Sequence, residues 1–269
     1  MKSRNLIARS RIGSLWSCYT HNFLHPNSPI APIYKSSTTM SILRTTLAVT
    51  GYGSFAAAIG YVLATRKSKV YPLPANDYLM GTSLFARFNP YNNPVTRDVC
   101  TRTVPLAQIK PELLEQEGAL VQSFCRGVWS GWGYAYQRRY LEKKYRGPDT
   151  AIHLWDNDAL RTSNYEVGTV VTDHFEVLAK SENSIIVRCG DSPRTQTVRE
   201  SDGLFEMVAE IKKEEGVAEF QLKSVFYNGI AQPDKEGGKL DEPMGPWTQW
   251  AHAQYDKVLM ETAIRECMR

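Results

Sequence analysis

The sequence predicts an α+β body, a curved antiparallel sheet packed on a long C-terminal helix, preceded by a single N-terminal transmembrane helix. Three observations carry that prediction. Between residues 170 and 226 apolar and polar side chains alternate with period two, as half-buried strands do. From Pro246 to about Met268 apolar side chains recur at helical spacing instead. Residues 45–65 carry no charge, and about 20 residues rising roughly 1.5 Å each span a hydrocarbon core of about 30 Å.

Charge divides the chain before any of these elements. The first 76 residues contain no Asp or Glu but nine Lys and Arg. The remainder holds 23 basic and 28 acidic residues, so the formal +4 of the whole hides a body of net −5. A basic, Ser/Thr-rich, acid-free leader has the composition of an organelle import signal. Residues 1–44 are therefore expected to be a targeting presequence, and the chain a single-pass protein of a mitochondrial membrane, the inner one. A secretory-pathway signal anchor is the alternative. Wound as a helix, the first sixteen residues do not separate basic from apolar cleanly, since Leu15 and Trp16 fall near basic positions.

Residues 45–65 are the expected span, bounded by Arg44 before it and by Arg66, Lys67 and Lys69 after it. Gly53, Ala57 and Gly60 belong to small-xxx-small pairs that permit close helix–helix contact in lipid. A cleaved leader would leave the body outside the inner membrane, while the heavier basic flank at Arg66–Lys69 argues for the opposite side. Tyr71-Pro-Leu-Pro-Ala-Asn-Asp77 and Phe88-Asn-Pro-Tyr-Asn-Asn-Pro94 are turn-rich, so residues 66–94 read as a linker and 95–269 as the body.

Within the body, Val99–Val104 alternates weakly and predicts a first strand. Ile109–Tyr145 is helical in character, with Phe124, Val128, Trp132 and Ala135 on one apolar stripe. Gly127, Gly131 and Ala135 fall four apart and make a smooth face that another backbone can approach. Trp129, Tyr136 and Tyr140 form a separate row beside Arg138, Arg139, Lys143 and Lys144. Those rings would line a cavity or lie on a membrane surface, or, as aromatic stripes more often do, pack into the core. After Arg146-Gly-Pro-Asp149 the period changes to two. Val171, Phe175 and Val177 alternate, then Ile185, Val187 and Cys189, then Phe205, Met207, Ala209 and Ile211. Lys213-Glu-Glu-Gly216 predicts a hairpin turn, and Ala218, Phe220, Leu222 and Phe226 face inward on the returning strand. The last helix places Trp247, Ala251, Tyr255, Val258, Leu259 and Thr262 on one stripe.

Several function classes lack their signatures. The five cysteines are scattered, with no CxxC and no His at zinc-site spacing, so no metal site is expected. The basic charge lies in the leader, so no nucleic-acid partner is expected. No GxSxG, Walker or dinucleotide motif occurs, so neither a cofactor nor a catalytic residue is assigned. His153, Asp173, His174, Glu176 and His252 are the groups that could exchange protons. Asp173, expected on a strand face with Phe175, is the one acid/base candidate. His174 is expected to face solvent.

Val128-Trp-Ser-Gly-Trp132 through Arg138-Arg-Tyr-Leu141, Cys189-Gly-Asp-Ser192, Gly203-Leu-Phe-Glu-Met207, the long hairpin and the Trp250–Arg265 helix together resemble an uncharacterised domain family. That family belongs to the START/Bet v 1-like (polyketide cyclase-like, SRPBCC) superfamily. The resemblance covers about residues 95–268. It implies a helix-grip fold with a pocket between the sheet and the terminal helix for an apolar ligand such as a lipid, sterol or quinone. Phe175, Phe205, Met207, Phe220, Leu222 and Trp250 would line it. The alternative is a membrane assembly or scaffold protein whose core is filled with side chains, and a cyclase-like or hydrolytic enzyme is a third reading. None of the matching motifs is catalytic.

Overall fold

The computed structural model describes residues 57–232 and 240–269. The chain divides into two compact units, one of residues 13–66 and one holding Lys67–Arg269. In the first, residues 57–65 are helical, with Ile59, Val62 and Leu63 exposed. Most of the uncharged stretch, Gly53 included, lies outside the described residues, as does the leader. Among the described residues no helix is long and apolar enough to cross a membrane.

The second unit is α+β. Its curved sheet has seven strands: β1 (Lys69–Pro72), β2 (Thr96–Pro105), β3 (Val170–Val171), β4 (Phe175–Lys180), β5 (Ser184–Gly190), β6 (Asp202–Lys212) and β7 (Val217–Tyr227). The order across the sheet is β1-β2-β7-β6-β5-β4-β3, with every pair antiparallel. The last strand thus returns beside β2, Thr96 opposite Phe226 and Pro105 opposite Val217. The β6–β7 hairpin turns at residues 213–216, as the Lys-Glu-Glu-Gly sequence predicts, with Gly216 in the left-handed region at φ 67°. Among the described residues six α-helices accompany the sheet: α1 (Ser83–Phe88), α2 (Glu112–Glu115), α3 (Ala119–Ser130), α4 (Trp132–Tyr145), α5 (Asn157–Thr162) and α6 (Pro246–Cys267).

Both faces of the sheet are buried. On one face Cys100, Val187, Phe205, Met207, Phe220 and Leu222 meet Phe124 and Val128 of α3 and Leu259 and Ala263 of α6 in the main core. On the other, Val99, Ile186, Leu204, Val225 and Tyr227 are covered by Leu73, Leu79, Phe85 and Phe88. This corrects the linker reading of residues 66–94. They form β1, a 3-10 turn and α1, and four of their apolar side chains seal the second face. Prolines and turn residues set the path of this segment, but its buried Leu and Phe hold it down. The covering segment also buries Glu206 and Lys223, which the alternation assigns to solvent. Lys223 Nζ lies 3.1 Å from Asp77 Oδ2 and 3.3 Å from Glu206 Oε2.

The stretch 109–145, expected to be helical, forms three helices, α2, α3 and α4. Gly131 adopts an extended backbone (φ −66°, ψ 157°), ending α3 and capping α4. The break rotates the later residues off the stripe, so Phe124 and Val128 are buried while Trp132 is exposed. The smooth face at Gly127 is used as expected. A Cβ there would sit 2.3 Å from the carbonyl oxygen of Ala263, so α3 and α6 touch backbone to backbone.

Candidate functional site

The expected pocket residues fall into two groups. Phe205, Met207, Phe220 and Leu222 are buried side chains of the main core, and Phe175 packs on it. Phe220 packs at a tilt against Phe124 with ring centroids 5.0 Å apart, and Trp129 meets Phe175 at 4.7 Å and Phe205 at 6.1 Å. Close aromatic pairs at these separations are core packing. Trp250 is not among them. It lies 60% exposed on α6 and meets Trp247, itself 84% exposed, edge to face at 6.2 Å.

Those two indoles are part of an outer face. On α4, Trp132 and Tyr136 are 60% and 67% exposed, and Arg139 and Lys143 follow on the same stripe, also exposed. Lys144 lies over the rings of Tyr140 and Tyr145, while Arg146 is tied by Glu142 and Asp156. The two helices run antiparallel. A Cβ at Gly133 would meet Thr262 and Val258, and the Tyr255 hydroxyl donates to Gln137 Oε1 at 2.8 Å. Trp247 and Trp250 therefore lie toward the basic end of α4.

Asp173 does not sit on a strand. It belongs to the turn between β3 and β4, where Thr172 and Asp173 both take left-handed backbones at φ 48° and 57°. That turn ends the alternation, so His174 is buried rather than solvent-facing. The fully buried Asp173 carboxylate accepts from Ser192 Oγ at 2.8 Å and Arg194 Nη2 at 3.1 Å, with His153 Nδ1 at 3.6 Å. The segment after β5, through Ser192 and Arg194, thus supplies the donors that hold it. Two of the five proton-exchanging candidates, His153 and Asp173, meet here, with His174 next in the turn. Glu176 is apart, 4.0 Å from Arg199 Nη2.

His252 belongs to a second cluster that the sequence reading did not assemble. Asp98 of β2 shares a sheet face with buried Cys100, beneath α6. His252 and Asp256, four apart on α6, face it. His252 Nε2 lies 3.3 Å from Asp256 Oδ2 and 3.6 Å from Asp98 Oδ2. The Phe226 ring stands edge-on to the imidazole at 5.0 Å. Burial pushes the Asp256 carboxyl well above the usual range, and the neighbouring Asp98 adds to that; burial also raises Asp98, against the pull of His252. Burial lowers His252. The legible signal was the His-x-x-x-Asp spacing on the predicted helix; the contribution of Asp98, more than 150 residues away, was not legible. The comparisons find no matching protein family, curated protein or solved structure.

Proposed function

We propose that this chain is a membrane-tethered helix-grip domain of the START/Bet v 1-like kind that works from its outer surface, with a filled core in place of a ligand pocket. The uncharged stretch 45–65 anchors it, the acid-free leader directs it to a mitochondrial membrane, and the face of α4 and α6 lies against lipid headgroups. The observation that carries this reading is the contrast between two sets of large side chains. Phe205, Met207, Phe220 and Leu222 are packed among core neighbours, while Trp132, Tyr136, Trp247 and Trp250 stand in solvent on two adjacent helices. Indole and phenol rings favour the headgroup level, where one end is apolar and the other wet. Arg139 and Lys143 on the same face supply attraction to anionic lipid of about 1 kcal/mol each. The rest of the body is acidic and is repelled by the same surface, which orients the domain. The helix-grip assignment is supported by the return of β7 beside β2 and by the terminal helix over the shared face.

The test uses a chain beginning at Lys67, which keeps every strand but lacks the tether. It is expected to sediment with vesicles containing anionic lipid and to bind neutral vesicles far more weakly. The double variant R139E/K143E should lose the preference. Equal binding to both vesicle types, or none to either, contradicts the reading.

A further inference from the structure

We propose that Asp98, His252 and Asp256 form a site for a divalent first-row transition-metal ion, with Zn²⁺ or Mn²⁺ as the fitting class. One donor atom from each residue lies within 4.8 Å of the other two, and the imidazole nitrogen stands 3.3 and 3.6 Å from the carboxylate oxygens. Ligands bound at about 2.0–2.2 Å with angles between 90° and 109° are separated by roughly 3.0–3.5 Å, so an ion fits with small adjustments. The burial of these groups points the same way. The Asp256 side chain is 1% exposed, and neither of its oxygens has a hydrogen-bond donor. Asp98 Oδ1 is likewise buried without one. Opposite Asp98 across the β2–β7 ladder stands Ser224, whose buried hydroxyl also has no partner. A buried carboxylate left without a donor is costly, and proteins that keep one usually pair it or place it on a metal.

Charge and donor type select the ion. Two carboxylates neutralise a divalent cation, and a neutral imidazole adds no charge, which suits a buried place. One nitrogen and two oxygens suit Zn²⁺ or Mn²⁺; Ca²⁺ takes six to eight oxygens, and Cu(I) selects sulfur. Phe226 fixes the tilt of the imidazole. Three protein ligands leave coordination positions for water, or for the Ser224 hydroxyl.

The experiment takes the full chain in detergent, strips it with a chelator, and titrates Zn²⁺ and then Mn²⁺ while recording heat and thermal unfolding. One ion per chain and a raised Tm are expected. Asp256→Asn and Asp98→Asn should each weaken binding beyond the roughly 10–100-fold that loss of an outer-shell partner costs. Co²⁺ loaded into the unaltered chain gives a readout that does not depend on any variant folding. Its visible spectrum should report one nitrogen with oxygen ligands and change in His252→Gln. No stoichiometric ion and no rise in Tm in the unaltered chain overturns the proposal. So does a bound ion whose affinity and Co²⁺ spectrum are unmoved by all three substitutions, which would place it elsewhere.

Discussion

His174 packs against the Tyr145 ring at 4.5 Å, and the Nδ1–H of the neutral ring donates a hydrogen bond to the Thr172 carbonyl at 2.9 Å. Burial holds both His174 and His153 below the ordinary imidazole value of 6.5. Asp173 and Asp191 pull His174 back up and Lys144 pushes it down, while His153 feels Asp173 and Arg194. The unfolded chain therefore takes up these protons first as pH falls. The stability owed to the neutral rings is complete above about pH 6.5 and drains away as pH drops toward the lowered folded values. Urea unfolding at pH 7 and pH 5.5 should show His174→Gln losing less stability across that interval than the unaltered chain. An identical loss in both would remove His174 from the account. The Asp173 carboxylate at the next position is spent on Ser192 and Arg194, which makes it a brace for a strained turn rather than a free base.

At the scale of elements, α3 and α6 meet backbone to backbone at Gly127. Gly127→Ala would drive a methyl into the Ala263 carbonyl, and backbone cannot swing aside as a side chain can. A loss of about 1–3 kcal/mol is expected in urea unfolding, typical of overpacking. Gly81→Ala, which meets nothing within 4 Å, should change stability by less than about 0.5 kcal/mol. The Gly127–Gly131 spacing made that joint legible, and the alternation of Phe205 to Ile211 and Ala218 to Phe226 made the long hairpin legible, because each signal is local. The fate of Trp132 was not, since a helical wheel assumes an unbroken helix and Gly131 breaks it. Nor was the role of residues 69–95. Leu73, Leu79, Phe85 and Phe88 are too irregularly spaced to show a period, yet each finds a place on the second face of the sheet. The same limit hid the Asp98–His252–Asp256 cluster, which depends on β2 lying under α6.

For the whole molecule, a sheet sealed on both faces places any membrane-facing role on the outside. The basic pair of Arg139 and Lys143 interrupts a body of net negative charge, and the exposed rings of Trp132, Tyr136, Trp247 and Trp250 lie on the same two helices. Tether and face act together in this account: the anchor sets the distance, and the face sets the orientation. Depth-dependent fluorescence quenching tests that claim most directly. The full chain is reconstituted into vesicles containing anionic lipid and lipids brominated at known depths, with Trp16 changed to Phe. Variants keep either Trp132 or Trp250 as the sole outer indole, over the constant background of buried Trp129 and Trp155. Both outer indoles should be quenched at headgroup depth, and R139E/K143E should lose that quenching. Outer indoles that bromine leaves unquenched, in a chain shown to be inserted, would contradict that claim.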